Sequence, residues 1–280
     1  MIRTISVFDE PKIDCHCHVL DPLRFAYNVD TPYRPAGQEI ASALQMNRMF
    51  GAYGVRNALL VQPNSGYDKD NRCLLDAIAT SAGQFKGIAV VPHDASEADL
   101  VRLKASGIVG VAFNVPFHGV EYYLRTEALL TRLIQLDMLL QIQVHGDQIL
   151  AFLPLLERFP VRLLIDHCGR PVPDAGLEAP AFQALLALGR SGRASIKLSG
   201  YAKFSRQSHP FADTWAFVRA LVDAFTLEAC VWGSDWPFLR APERVDYGPL
   251  LTLAGDLFPD AADRRKLFWE TPRRLFGFDR

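Results

Sequence analysis

Eight short apolar runs punctuate the chain: IDCHCHV (13–19), RNALLVQP (56–63), KGIAVVPH (86–93), IVGVAFNV (108–115), LLQIQVH (139–145), VRLLIDHCG (161–169), ASIKLSG (194–200) and CVWGSDWPF (230–238). Each is rich in Val, Ile and Leu without clean alternation, the pattern of parallel strands buried on both faces. Polar or Gly/Pro punctuation follows each run, and then an amphipathic stretch. EADLVRLKASG predicts a helix that stops at Gly107, and EALLTRLIQLD and TWAFVRALVDAF predict two more. DQILAFLPLLERFP predicts another, kinked or restarted at Pro154. Strand and helix alternate at intervals of roughly 20–40 residues, close to the length of a βαβ unit. This predicts a (β/α)8 TIM barrel, with residues 1–280 as one domain. An open, doubly wound sheet is the second choice, but it usually carries a Gly-rich first turn, and HVLDPLRF has no glycine.

In a barrel the C-terminal ends of the strands form the catalytic face, and the polar residues of the runs gather there. The first run ends in His16, Cys17 and His18, the second in Gln62 and Asn64, the fourth in Asn114, and the fifth in Gln143 and His145. The sixth ends in Asp166 and His167, just before Arg170, and the eighth in Ser234, Asp235 and Trp236. Side chains alternate along a strand, so Asp14, His16 and His18 are expected to face the barrel axis, with Ile13, Cys15 and Cys17 facing the helices. Two histidines at i and i+2 can share one metal ion, with His145 as a third ligand. His145 reads equally as the first residue of a helix, and His167 as either a site residue or a hydrogen-bonded core histidine. Asp235 is the strongest single candidate, because a carboxylate among bulky apolar residues is costly unless it is paired or bound to metal. Its alternative is to cap the following loop.

Gln62, Asn64, Asn114, Gln143 and Arg170 are candidate substrate contacts, with His118 on the loop after the fourth strand. The irregular stretch 21–37 reads as an ordered active-site loop and offers Arg24, Tyr27 and Arg34. Lys203 and Arg206 follow the seventh strand. Lys197, inside that strand, reads as a buried pairing residue.

Composition narrows the function. The 280 residues are 49% hydrophobic with a formal net charge of −1, so there is no global electrostatic case for a nucleic-acid or anionic-membrane partner. No apolar run approaches the ~20 residues that span a bilayer. MIRTISVFDEPK has no apolar core of a secretory signal, and the five scattered cysteines read as reduced thiols, which together predict a cytoplasmic protein. Oligomeric state is not legible.

Taken in order, D-x-H-x-H at 14–18, DHxGRP at 166–171, KLSG at 197–200 and GSDWP at 233–237 resemble the amidohydrolase superfamily, and within it the amidohydrolase-2 branch of lactonases and decarboxylases. The chain is most similar to the 2-pyrone-4,6-dicarboxylate lactonases of aromatic catabolism, sharing IDCHCHV, Asp70-Asn71-Arg72, GVxFN at 110–114, IDHCGRP and VWGSDWP. The resemblance implies a hydrolase that opens a small carboxylated lactone, with Asp235 as general base on water and His167 beside it. It implies one divalent ion, zinc or manganese, on His16, His18 and His145, or a metal-independent reaction, since members of the branch differ on this point. Ala112 stands where the pyrone lactonases carry arginine, so a pyrone dicarboxylate, a muconolactone and a sugar lactone all stay open as substrates. A non-oxidative decarboxylase is the second functional reading, and a barrel that binds sugar acids without turnover is the third.

Overall fold

The computed structural model describes residues 6–278. Eight parallel strands follow one another in sequence order: β1 (Lys12–Cys17), β2 (Val55–Val61), β3 (Phe85–Ala89), β4 (Ile108–Asn114), β5 (Leu139–Gln143), β6 (Arg162–Ile165), β7 (Ala194–Leu198) and β8 (Cys230–Trp232). All eight predicted runs contain a strand. Every run overshoots its strand at the C-terminal end, chiefly because the polar, proline- and glycine-bearing tails there fold into loops.

The seam between β8 and β1 is stitched just beyond β8. The Asp235 N–H donates to the His16 carbonyl at 2.7 Å, and the His18 N–H donates to the Trp236 carbonyl at 2.8 Å. The closing hydrogen bonds therefore fix the backbone of three candidate site residues at once.

Eight principal helices alternate with the strands: α1 (Ala43–Ala52), α2 (Arg72–Ala79), α3 (Glu97–Ala105), α4 (Glu127–Gln135), α5 (Gln148–Arg158), α6 (Pro180–Arg190), α7 (Trp215–Phe225) and α8 (Tyr247–Leu257). This is the (β/α)8 barrel. Helix α3 shows how local sequence fixes the boundaries. A Ser96–Asp99 capping box satisfies its first turn, and Gly107, at φ +93°, takes the left-handed turn after its end. Helix α5 runs through Pro154 without restarting there. Pro154 is exposed, so the carbonyl that loses its partner can turn to water.

The apolar core has two parts. A large cluster fills the space between strands and helices, and a smaller one, including Ile13, Cys15, Leu59, Val61, Leu164 and Val231, fills the barrel interior. Ile13 and Cys15 thus correct the alternation expected for β1. The register of β1 against β2 is irregular between Asp14 and Cys17. A bulge there resets the two-residue period: Cys15 and His16 both serve the interior, while Cys17 packs in the outer cluster. Asp14 is not at the axis either, because its carboxylate accepts from the Ser234 N–H and hydroxyl (3.0 and 2.6 Å) and from the Tyr247 hydroxyl of α8 (2.9 Å). All five cysteines are buried free thiols. Among the described residues no helix is long and apolar enough to cross a membrane.

Candidate active site

Four side chains converge at the C-terminal mouth of the barrel. The Nε2 atoms of His16, His18 and His167 lie 3.6, 3.6 and 3.7 Å from Oδ1 of Asp235, and the first two are 3.3 Å apart. They come from the end of β1, the loop after β6 and the loop after β8.

Each ring is held from behind through Nδ1. His16 faces Asp166 Oδ1 at 2.8 Å, His18 the Val61 carbonyl at 2.8 Å, and His167 the Ser199 hydroxyl at 2.9 Å. The Val61 carbonyl only accepts, so in its neutral form His18 carries its proton on Nδ1 and turns the Nε2 lone pair toward the centre. Beneath His16 lies a buried network. Lys197 Nζ donates to Gln141 Oε1 at 2.6 Å and stands 3.1 Å from His16 Nδ1, while Gln141 Nε2 donates to Asp166 Oδ2 at 3.2 Å.

Close packing explains the glycines of two motifs. A Cβ on Gly200 would lie 2.4 Å from His167 Nδ1, and one on Gly233 would lie 2.7 Å from His16 Cβ. The segment after β6 is conformationally costly, because His167, Cys168 and Arg170 all hold positive φ (46°, 57° and 43°), as does Asp235 (61°). Such backbone persists only where its surroundings over-determine it, commonly at functional sites.

Burial dominates the electrostatics. It pushes His167 down to about 4, against the pull of Asp166 and Asp235, and holds His16 well below its usual value. Burial works against ionisation of Asp235, but the Lys203 ammonium, 3.0 Å from Oδ2, and the His167, His18 and His16 rings together outweigh it and hold the carboxyl well below the usual range. Burial likewise opposes the charge of Asp166, yet His16 and Lys197 keep it far below that range.

His16 and His167 are therefore neutral and Asp235 ionised, and Asp235 Oδ1 is buried without a hydrogen-bond partner among the described residues. This donor set fits a divalent ion. His16, His167 and Asp235 each bring one donor atom within 4.8 Å of the other two, and His18 stands beside His16 and Asp235. Ligating histidines usually anchor their second nitrogen as these three do.

The four residues form the floor of a pocket of about 410 Å³. Gln62, Asn64, Asn114, Gln143, Arg170 and Lys203 line it. Gln62 is anchored by donating to the Asp68 and Asp70 carbonyls, and Asn114 donates to Asn64 at 3.0 Å. His118 stands behind Asn64, at 3.4 Å from its amide nitrogen.

Besides His118, five expected residues lie outside the pocket. His145 is exposed, and its backbone N–H is taken by the Gln148 side chain, because β5 ends at Gln143 and His145 belongs to the following turn. His167 and Asp235 complete the donor set where His145 was expected. Arg24 forks onto Asp76 at 2.8 and 3.0 Å, Tyr27 donates to the Pro35 carbonyl, Arg34 donates to the Val29 carbonyl, and Arg206 pairs with Asp174 at 2.7 Å. These loop residues fold the loops rather than line the pocket.

Sequence reasoning missed Gln141 and Ser199, whose small polar side chains inside or just after strands carry little signal. It also missed Arg240, which lines the pocket five residues beyond Asp235.

Comparison with known proteins agrees with this architecture. A curated relative at 31% identity over 274 residues is the 4-sulfomuconolactone hydrolase of Hydrogenophaga intermedia, with 94% of this chain and 88% of that protein covered. The 2-pyrone-4,6-dicarboxylate hydrolase of Comamonas testosteroni is 25% identical over 277 residues, covering 94% and 89%. A crystal structure of a probable 2-pyrone-4,6-dicarboxylic acid hydrolase from Acinetobacter baumannii, with citric acid bound, superposes with a TM-score of 0.86 at 26% identity, covering 96% of this chain and all of that one. The amidohydrolase family model matches residues 13–278, nearly the whole barrel, and the chain belongs to that family.

Proposed function

We propose that this chain opens a lactone by adding water across the ring ester. The observation that carries the reading is the ionised Asp235, with one carboxylate oxygen on Lys203 and the other unpartnered toward the pocket, in a chain whose relatives are named as lactone hydrolases. Asp235 Oδ1 accepts a proton from water as the water oxygen bonds to the lactone carbonyl carbon. The C–O bond of the ring then breaks, and Asp235 returns the proton to the departing ring oxygen. A carboxyl held well below its usual range is a weak base but releases its captured proton readily, which favours the second transfer. Lys203 keeps the carboxylate oriented through both steps.

His16, His18, His167 and Asp235 would hold a divalent ion, and neutral imidazoles with one carboxylate suit zinc or manganese. When bound, such an ion polarises a carbonyl and lowers the pKa of a coordinated water toward ~7. Ser199 supports a second reading without the ion. When its hydroxyl donates to His167 Nδ1, the His167 Nε2–H is able to donate to the substrate carbonyl, whereas ionised Asp166, 2.8 Å from His16 Nδ1, keeps the proton of neutral His16 on Nδ1. His18, anchored on a carbonyl, cannot donate from Nε2 in its neutral form.

The test is acid release against carbon dioxide release over a panel of pyrone, muconolactone and sugar-lactone substrates. Acid release without carbon dioxide is expected, and Asp235→Asn should lose about 10³-fold or more in kcat. Carbon dioxide as the product would favour a decarboxylase, and near-unchanged turnover in Asp235→Asn would remove Asp235 from the reaction.

A further inference from the structure

The walls of the pocket differ in charge. The loops after β6, β7 and β8 contribute Arg170, Lys203 and Arg240, whereas the side built on β2, β4 and β5 presents Gln62, Asn64, Ala112, Asn114, Phe117 and Gln143, none of them charged. The cations are not equivalent. Lys203 is committed to Asp235. Arg170 and Arg240 form no ion pair among the described residues, although every other cation near the centre does.

Arg170 is largely buried. Its Nε has no hydrogen-bond partner among the described residues, and one of its terminal nitrogens reaches only the Lys203 carbonyl, at 3.3 Å. Arg240 is held differently. Its guanidinium lies over the Tyr33 ring at 5.2 Å. Glu39 accepts the Arg240 backbone N–H at 2.8 Å on one oxygen and the Tyr33 hydroxyl at 2.6 Å on the other. One carboxylate thus fixes both the backbone of Arg240 and the ring beneath it, and the guanidinium itself donates to no described residue. For Arg170 a buried cation without a counter-charge is costly; Arg240 is exposed at the pocket mouth, and the planar guanidinium of each matches the two oxygens of a carboxylate.

We propose that Arg170 and Arg240 form a one-sided anion subsite, so that the substrate is a lactone with an acid group on the edge facing the loops after β6 and β8 and an uncharged edge facing β2, β4 and β5. This rests on the lactone reading above. It makes Arg240 a specificity-determining residue and disfavours rings with acid groups on opposite edges, since the second acid would meet amides and an alanine.

The experiment compares kcat/KM for an uncharged lactone, a lactone with one carboxylate and a lactone with carboxylates on opposite edges. The protein should prefer the single-acid lactone by about tenfold or more over both others. Arg240→Gln should lower the ratio of single-acid to uncharged kcat/KM by about tenfold, chiefly through KM, and Arg240→Lys should recover part of it. Ala112→Arg, which places a cation on the neutral wall, should raise the two-acid substrate relative to the single-acid one.

An unchanged ratio in Arg240→Gln, or a preference of the unaltered protein for the two-acid ring, overturns the subsite. Failure to open any lactone overturns the lactonase reading instead. The subsite is then decided by calorimetric titration of both proteins with the single-acid lactone, where weaker binding to Arg240→Gln supports it and equal affinity overturns it.

Discussion

Asp235 shows how one side chain is given two different faces. Its Oδ2 receives the Lys203 ammonium at 3.0 Å, and its Oδ1 points at three imidazole nitrogens with no hydrogen bond of its own. Lys203 is the counterweight to the cost of burying that charge. Lys203→Met should lower kcat/KM by about 10²-fold or more. It should also move the acid limb of the pH–rate profile to higher pH, because a carboxyl relieved of its neighbouring cation binds its proton more tightly. A pH–rate profile of the variant on a lactone substrate checks both, and an acid limb that stays in place would show that Lys203 does not set the charge of Asp235.

At the level of elements, the strand ends do what the strand bodies cannot. The bodies of β6 and β7 follow the pleat, but within five residues past β6 the chain has placed three non-glycine residues in left-handed conformations. This turn drives the His167 ring against Gly200, just after β7. Gly200→Ala combines a backbone at φ +64° with a Cβ 2.4 Å from the ring. It should cost roughly 1–3 kcal/mol and displace His167, with activity falling by more than about tenfold. Gly192→Ala is the control, having a similar φ of +68° and nothing within 4 Å of the added Cβ. It should show the backbone cost in denaturant unfolding with no comparable loss of turnover. If both variants behave alike, the glycine of KLSG serves the turn and not the histidine.

Across the whole molecule, the four donors lie far apart in the chain and meet only when the barrel closes. The backbone bonds that seal β1 to the segment after β8 are made by His16, His18, Asp235 and Trp236, so an ion at the centre would tie that seam to the loop after β6. Zinc or manganese added to chelator-treated protein should therefore raise the thermal unfolding midpoint by several degrees at saturating metal. The rise should persist in His145→Ala and disappear in His167→Ala. A rise that survives loss of His167 but not of His145 would return the ligand role to the fifth strand.

The barrel is legible in the residue pattern, because eight apolar runs with helical stretches between them bury a parallel sheet in one way that suits their number and spacing. So is the position of His16, His18, His167 and Asp235 at strand ends, since polar residues inside apolar runs stand out without any coordinates. Tertiary structure decided what a two-residue period cannot carry. The bulge between Asp14 and Cys17 turned Cys15 inward and Asp14 toward α8. The early end of β5 left His145 on the surface. Loop arginines illustrate the same limit: Arg24 and Arg206 found carboxylates on neighbouring segments, while Arg170 and Arg240 were left facing the pocket. Charge on a loop is visible in one dimension, but its partner is chosen by distances that exist only after the barrel has closed.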